Sequence, residues 1–185
     1  HVAIRMHDGA ADEQMEDELT NALHLTKPDI DFNDFRRELF SPTEANILVM
    51  LTAAKYMAGK NLEAIRIGEE ILFALERSHS RLSDYKVLQI NLAHNLSQIL
   101  QDEGRYQEAL LYAKKAENLS ICGTEQFLLP EIEFSIAQIL NNMKKRQESR
   151  MRMEALIPYM RLIGKKEMAD LVQEYLEKNL TNDVN

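Results

Sequence analysis

The sequence predicts an all-α fold, a right-handed α-solenoid of stacked helix pairs closed by a C-terminal capping helix. Three observations predict it. Helix formers dominate, and the 185 residues include only six Gly and four Pro. Apolar residues recur at three- and four-residue steps in segment after segment. A helix–turn–helix frame of 34 residues is met three times along the chain, at starts 40–45 residues apart.

In chain order, residues 1–40 read as a partial N-terminal repeat helix and a linker. Within "GAADEQMEDELTNALHLTKP" (9–28), Met15, Leu19, Ala22 and Leu23 fall at helical spacing. This segment reads as the second helix of a pair without its first, so more protein is expected before residue 1. Residues 41–180 hold the repeats. The first frame, 45–78, has Leu51, Thr52, Gly59 and Ala64 at the expected places, although Ile71 is bulkier than the small residue expected there. "RSHSRLSD" (77–84) reads as the following loop, with Ser83 or Asp84 as a helix N-cap.

The middle frame, 90–123, is the clearest. Leu96, Ser97 and Leu100 share one face of a helix that Gly104 ends in a left-handed position. A second helix is expected from about Tyr106 to Asn118, with Tyr106, Ala109, Leu110, Ala113 and Ala116 on its inner stripe. Small residues at 97, 109 and 116 let the two backbones approach, and Leu96, Leu100 and Tyr106 fill the gaps between them. In the third frame, 130–163, Ile136, Ala137 and Leu140 repeat the first face, and Pro130 suits a helix start. Its turn is degenerate, with Lys144 in place of Gly and Arg146 in place of the aromatic. A last amphipathic helix, 165–179, carries Met168, Leu171, Val172, Tyr175 and Leu176 and reads as the cap. Residues 181–185 are a tail.

The middle frame resembles a tetratricopeptide repeat (TPR), although the early Trp and closing Pro of that pattern are missing. A longer resemblance covers nearly the whole chain. Ala22, Leu23, Leu25, Thr26 and Pro28, then Ser41 and Glu44, then Gly104 to Leu110 with Cys122 nearby, then Leu128 to Pro130 occur in order. Together they are similar to the C-terminal TPR sensor domain of bacterial helix-turn-helix transcriptional regulators of the XRE type that respond to peptide pheromones. That resemblance implies a cytoplasmic domain that senses a ligand, in several members a short quorum-sensing peptide, and forms a homodimer. DNA binding would belong to an N-terminal domain, and no pattern of a DNA-binding helix-turn-helix is found within residues 1–185. The alternative is a TPR adaptor that docks a partner protein without a DNA-binding role. A further variant acts through its repeats on a response-regulator phosphatase pathway.

If helix pairs stack, the first helix of each lines the concave side. The expected ligand-binding groove is then Asn46, Met50 and Tyr56 from the first pair, with Val49 and Ala53 between them. The middle pair gives Asn91, His94, Asn95, Gln98 and Gln101, and the third gives Phe134, Gln138 and Asn141, with Glu131 and Ser135 also facing inward. Amide side chains both donate and accept hydrogen bonds, so the Asn91–Asn95–Gln98 ladder suits an extended peptide backbone. For His94 a surface or capping role is the alternative, and for Tyr56 and Phe134 it is core packing.

Composition excludes several function classes. The net charge of −8 disfavours binding to phosphate backbones or anionic membranes through this chain. The basic run 144–152 reads as a solvated helix face rather than an anion site. Cys122 is the single cysteine, so no internal disulfide or cysteine metal cluster can form; it reads as a packing residue rather than a reactive thiol. The histidines at 1, 7, 24, 79 and 94 lack metal-ligand spacing, and no phosphate loop or nucleophile motif is present. The chain is therefore expected not to be an enzyme and to carry no cofactor.

Overall fold

The computed structural model describes residues 9–32, 34–77, 83–122 and 127–180. Within these residues the fold is all-helical, with eight helices in chain order: α1 Gly9–Thr26, α2 Pro42–Met57, α3 Asn61–Arg77, α4 Ser83–Asp102, α5 Tyr106–Ile121, α6 Leu129–Asn142, α7 Arg146–Leu162 and α8 Lys166–Leu180. Each helix packs on the next. Beyond these neighbours, α2 packs on α4 and α4 on α6.

Four short turns of one design make the hairpins α2–α3, α4–α5, α6–α7 and α7–α8. The second residue after each helix end has positive φ: Gly59 (76°), Gly104 (73°), Lys144 (64°) and Gly164 (84°). At each, its N–H donates to the carbonyl three residues back, and the next N–H donates to the carbonyl five back. In the α4–α5 turn these are Gly104 N–H to Gln101 and Arg105 N–H to Leu100, at 3.0 and 2.9 Å. This pairing satisfies the last carbonyls of the helix. The α6–α7 turn that looks degenerate in sequence keeps the same geometry, with Lys144 holding the left-handed backbone otherwise given to Gly. The reason is that the penalty on an L-residue there is only about 1–2 kcal/mol, which the surrounding helices outweigh.

The small residues identified in the middle frame are buried: Ser97, Ala109, Ala113 and Ala116 are fully enclosed, as are Leu96 and Leu100. In the first frame the close approach is made by Gly68 rather than at Ile71. A Cβ on Gly68 would lie 2.8 Å from Leu96 Cδ2 and 3.2 Å from Thr52 Cγ2. Ile71 is an ordinary buried core residue. Cys122 is a correction: it is exposed at the C-cap of α5 and does not pack in the core. The helix ends at Ile121, and the last inward position of α5 is taken by the buried Ser120. The N-cap expected at Ser83 or Asp84 is corrected for Asp84, which lies inside the first turn of α4 because the helix already begins at Ser83; the Ser83 side chain, the tail 181–185 and most of the loop 77–84 lie outside the described residues.

The linker between α1 and α2 is built into the core rather than lying loosely outside it. Phe35 is fully buried and Phe40 nearly so, and His24, Phe32, Phe35 and Phe40 form a chain of edge-on ring contacts at 5.4–6.1 Å. The Phe35 N–H donates to Glu70 of α3, and the Tyr85 hydroxyl of α4 donates to the Phe40 carbonyl at 2.6 Å. Ser41 and Glu44 form a reciprocal capping box at the start of α2: the Glu44 N–H donates to Ser41 Oγ, and the Ser41 N–H donates to the Glu44 carboxylate at 2.7 Å. One apolar cluster runs from α1 through α6, and a second joins Ala137 of α6 to α7 and α8.

Candidate ligand-binding face

The candidate face follows the contacting row α2, α4 and α6. On α2, Asn46 and Met50 are exposed, one turn apart, with Asn46 Nδ2 3.9 Å from the Met50 sulfur. Val49 is buried in the core and Ala53 is half-buried. Tyr56 is half-buried, and its hydroxyl donates to Asp102 at 2.5 Å, which ties the end of α2 to the end of α4.

On α4 the predicted ladder spans a gradient of burial. Asn91, Asn95 and Gln101 are half-buried, and Gln98 is exposed. His94 lies deeper, at 9% exposure. Its Nε2 has no hydrogen-bond partner among the described residues. Burial lowers its pKa below the ordinary 6.5, against the opposite pull of the Glu131 carboxylate on α6. The imidazole is therefore neutral at neutral pH.

On α6, Glu131 and Ser135 stand one turn apart on the same side. Glu131 Oε1 accepts from Lys165 Nζ at 2.6 Å, and the same ammonium donates to the Phe127 carbonyl at 2.9 Å. Glu131 Oε2 and Ser135 Oγ are both buried atoms without a hydrogen-bond partner among the described residues. Further along, Phe134 and Asn141 both meet Tyr175 of α8. The rings of Phe134 and Tyr175 are edge-on at 5.6 Å, and Asn141 Nδ2 donates to the Tyr175 hydroxyl at 3.2 Å. Gln138, between them, is half-buried. Helix α8 thus places an aromatic at the far end of the face.

The structure brings Phe134 and Asn141 together through Tyr175, and His94 within electrostatic reach of Glu131. Among the described residues no side-chain hydrogen bond joins Asn91, Asn95, Gln98 and Gln101, which lie along one helix. The sequence places Glu131 and Ser135 on the inward row of the third pair without marking either as a ligand contact. The available signal was their i,i+4 spacing opposite a histidine.

A second feature was missed altogether. A cleft of about 520 Å3 lies between α1, α2, α3 and the linker, lined by Glu16, Thr20, Phe32, Leu51, Lys55 and Arg66 among others. Lys55 is 8% exposed and donates to Glu16 at 2.5 Å and to Glu63 at 2.9 Å, while Lys60 donates to the other Glu16 oxygen. Arg66 donates to the Phe32 carbonyl. The cations of this cleft are engaged in joining four segments of the fold. The sequence signal was Lys55, directly after the largely apolar stretch 48–54.

The basic run 144–152 is also engaged internally. Arg152 of α7 bridges Glu117 of α5 and Glu133 of α6, and Arg150 donates to the Leu180 carbonyl. Among the described residues, no group of three or more His, Cys, Asp or Glu is arranged to hold a metal, and no helix is long and apolar enough to cross a membrane. No protein-family model, curated protein or solved structure matches the chain.

Proposed function

We propose that this chain is the ligand-sensing TPR domain of a bacterial helix-turn-helix transcriptional regulator, and that it takes a short extended peptide along α2, α4 and α6. The observation that carries the reading is the composition of that face. Half-buried amides lie on the same helices as buried hydrogen-bonding atoms that have no partner among the described residues: His94 Nε2, Glu131 Oε2 and Ser135 Oγ. Buried polar groups are almost always paired, so such atoms mark a surface shaped for an occupant. The repeated hairpin turn and the α2–α4–α6 contacts support a TPR-like right-handed superhelix, whose inner row would be these three helices. Homodimerisation belongs to the same proposal, with the exposed Leu162 and Ile163 at the α7–α8 turn as apolar surface for a second copy.

The mechanism in this reading is a population shift. An occupant touching three helix pairs favours one curvature of the stack, and through the dimer alters the spacing of attached DNA-binding domains. It can shift that equilibrium only by its difference in affinity for the two states.

The test is binding to a random heptapeptide library on the full chain, followed by the Asn95→Ala/Gln98→Ala double variant. The expected result is saturable binding by a subset of peptides, weakened about tenfold in the variant because each lost hydrogen bond contributes about 0.5–1.5 kcal/mol. The reading is wrong if no peptide binds, or if the folded variant binds as the wild type does.

A further inference from the structure

Arg152 on α7 is the meeting point of two carboxylates. Its Nη1 donates to Glu117 Oε1 of α5 at 3.0 Å and to Glu133 Oε2 of α6. Two groups that only accept hydrogen bonds therefore converge on one nitrogen, which sets like charges side by side. Water reaches the place poorly: the Glu117 and Glu133 side chains are 14% and 23% exposed. With both carboxyls ionised, one guanidinium faces two anions, and the excess negative charge is weakly screened. Lys114, one turn before Glu117 on α5, also acts on Glu117, but it is exposed. Neighbouring charges on the three helices are engaged elsewhere: Lys115 with Glu76 of α3, Glu131 with Lys165, Glu148 with Lys145, and Arg150 with the Leu180 carbonyl.

We propose that Glu117 and Glu133 form a proton-binding site at the joint between the α4–α5 and α6–α7 hairpins, where the two carboxyl groups share a single proton on mild acidification. The proton comes from solvent, Arg152 keeps its charge, and the cluster passes from one net negative charge to none. The protonated carboxyl becomes a donor to its ionised neighbour, so repulsion between α5 and α6 is replaced by a charge-assisted hydrogen bond. Burial and the adjacent Glu117 push the Glu133 carboxyl above the ordinary 4.5, against the pull of Arg152. Burial raises Glu117 as well, but its contacts with Glu133 and Arg152 outweigh this and leave it lowered. The pair thus takes its first proton above 4.5 and its second below. The stability tied to the first proton is present below the unfolded value and lost as pH rises through the raised folded value. The stability tied to the ionised Glu117 is present above the unfolded value and lost as pH falls through the lowered one. The joint is therefore firmest near pH 4.5 and loosens toward neutral pH, opposite in sign to His94.

The test is a carbon-13 NMR titration of the full chain that follows the side-chain carboxyl carbons of Glu117 and Glu133, assigned through the backbone. The proposal expects both carbons to report the same two steps, one above and one below 4.5. It expects the upper step to vanish in Glu133→Gln, and to move to higher pH in Arg152→Gln, where the shared cation is gone. Two carboxyls that titrate independently, each in one step at or below 4.5, would overturn it. So would an upper step that stays or falls in folded Arg152→Gln. Urea midpoints supply a second reading. Glu133→Gln copies the singly protonated joint, so its midpoint should lie above that of the wild type at pH 7.5, with the gap narrowing toward pH 5. His94 titrates in both proteins and cancels in that gap. A gap that is constant, or that widens as pH falls, contradicts the shared proton. If neither variant folds, the two-step titration of the wild type decides alone.

Discussion

At the scale of single residues, His94 is where burial and titration meet. Its folded pKa lies below 6.5, so between the folded and unfolded values the unfolded chain binds the extra proton, and stability rises with pH across that window. Acidification from pH 7.5 to 5.5 should therefore lower the urea midpoint, and His94→Gln should flatten that slope. A wild-type midpoint independent of pH over this range would contradict the burial assigned to His94. The carboxylates behave differently. Burial pushes the Glu44 carboxyl up, but the Ser41 backbone and hydroxyl and the neighbouring Thr26 and Lys27 outweigh it, leaving a lowered pKa. That contribution is present above about pH 4.5 and is lost only as pH falls through the lowered value. The two windows are separable in one pH series. Sequence placed His94 on the correct helix, yet not its depth. Helical spacing gives an angle around the axis, whereas depth depends on how closely α6 packs, which no residue of α4 encodes by itself.

The elements were the most legible level. Apolar periodicity marked α1, α4, α5, α6 and α8, because a stripe of Leu, Ile and Ala at three- and four-residue steps has one stable use, against a neighbouring helix, whereas α2, α3 and α7 followed from the repeat frame. The turns were legible where Gly stands and illegible where Lys144 stands, since a residue type signals positive φ only when it has no Cβ. Lys144→Gly relieves that strain and should raise stability by about 1 kcal/mol, read as a higher urea midpoint; a fall would mean that the Lys144 side chain makes a contribution larger than its backbone penalty. The contact between α3 and α4 makes the opposite prediction. At Gly68 a methyl group meets the fully buried Leu96, so Gly68→Ala should cost about 1–3 kcal/mol despite the better helix propensity of Ala. An unchanged or raised melting temperature would show that Leu96 yields without cost. Ser41→Ala removes one half of the capping box and should cost about 1 kcal/mol, restored in part by Ser41→Asp. The linker was read poorly because its phenylalanines at 32, 35 and 40 follow no regular period. Their role comes from the surface they meet on α2, α3 and α4, and a pattern rule has no access to that surface.

At the scale of the whole molecule, the arrangement is a row of hairpins. Its first helices contact one another as α2–α4–α6, while its ends are treated differently. The α1 end is bound down by an aromatic linker and the Lys55–Glu16–Glu63 ion pairs. The α8 end places Tyr175 against Phe134 and Asn141. The buried hydrogen-bonding atoms of α4 and α6 that have no partner among the described residues lie between these ends. The candidate face was thus partly legible in the sequence: the helices that line it follow from the repeat frame. Which side chains are spent on internal contacts, such as Tyr56 on Asp102 or Asn141 on Tyr175, depends on tertiary neighbours and was not legible. The central claim is that an occupant lies along this face and not on the outer helices. The most direct measurement places a photo-reactive benzophenone at Gln98 on α4, and separately at Lys114 on α5, both exposed. Each protein is then irradiated with a peptide taken from the binding library. The account predicts that the peptide cross-links from position 98 and not from position 114. Cross-linking from 114 alone, with none from 98, would contradict it.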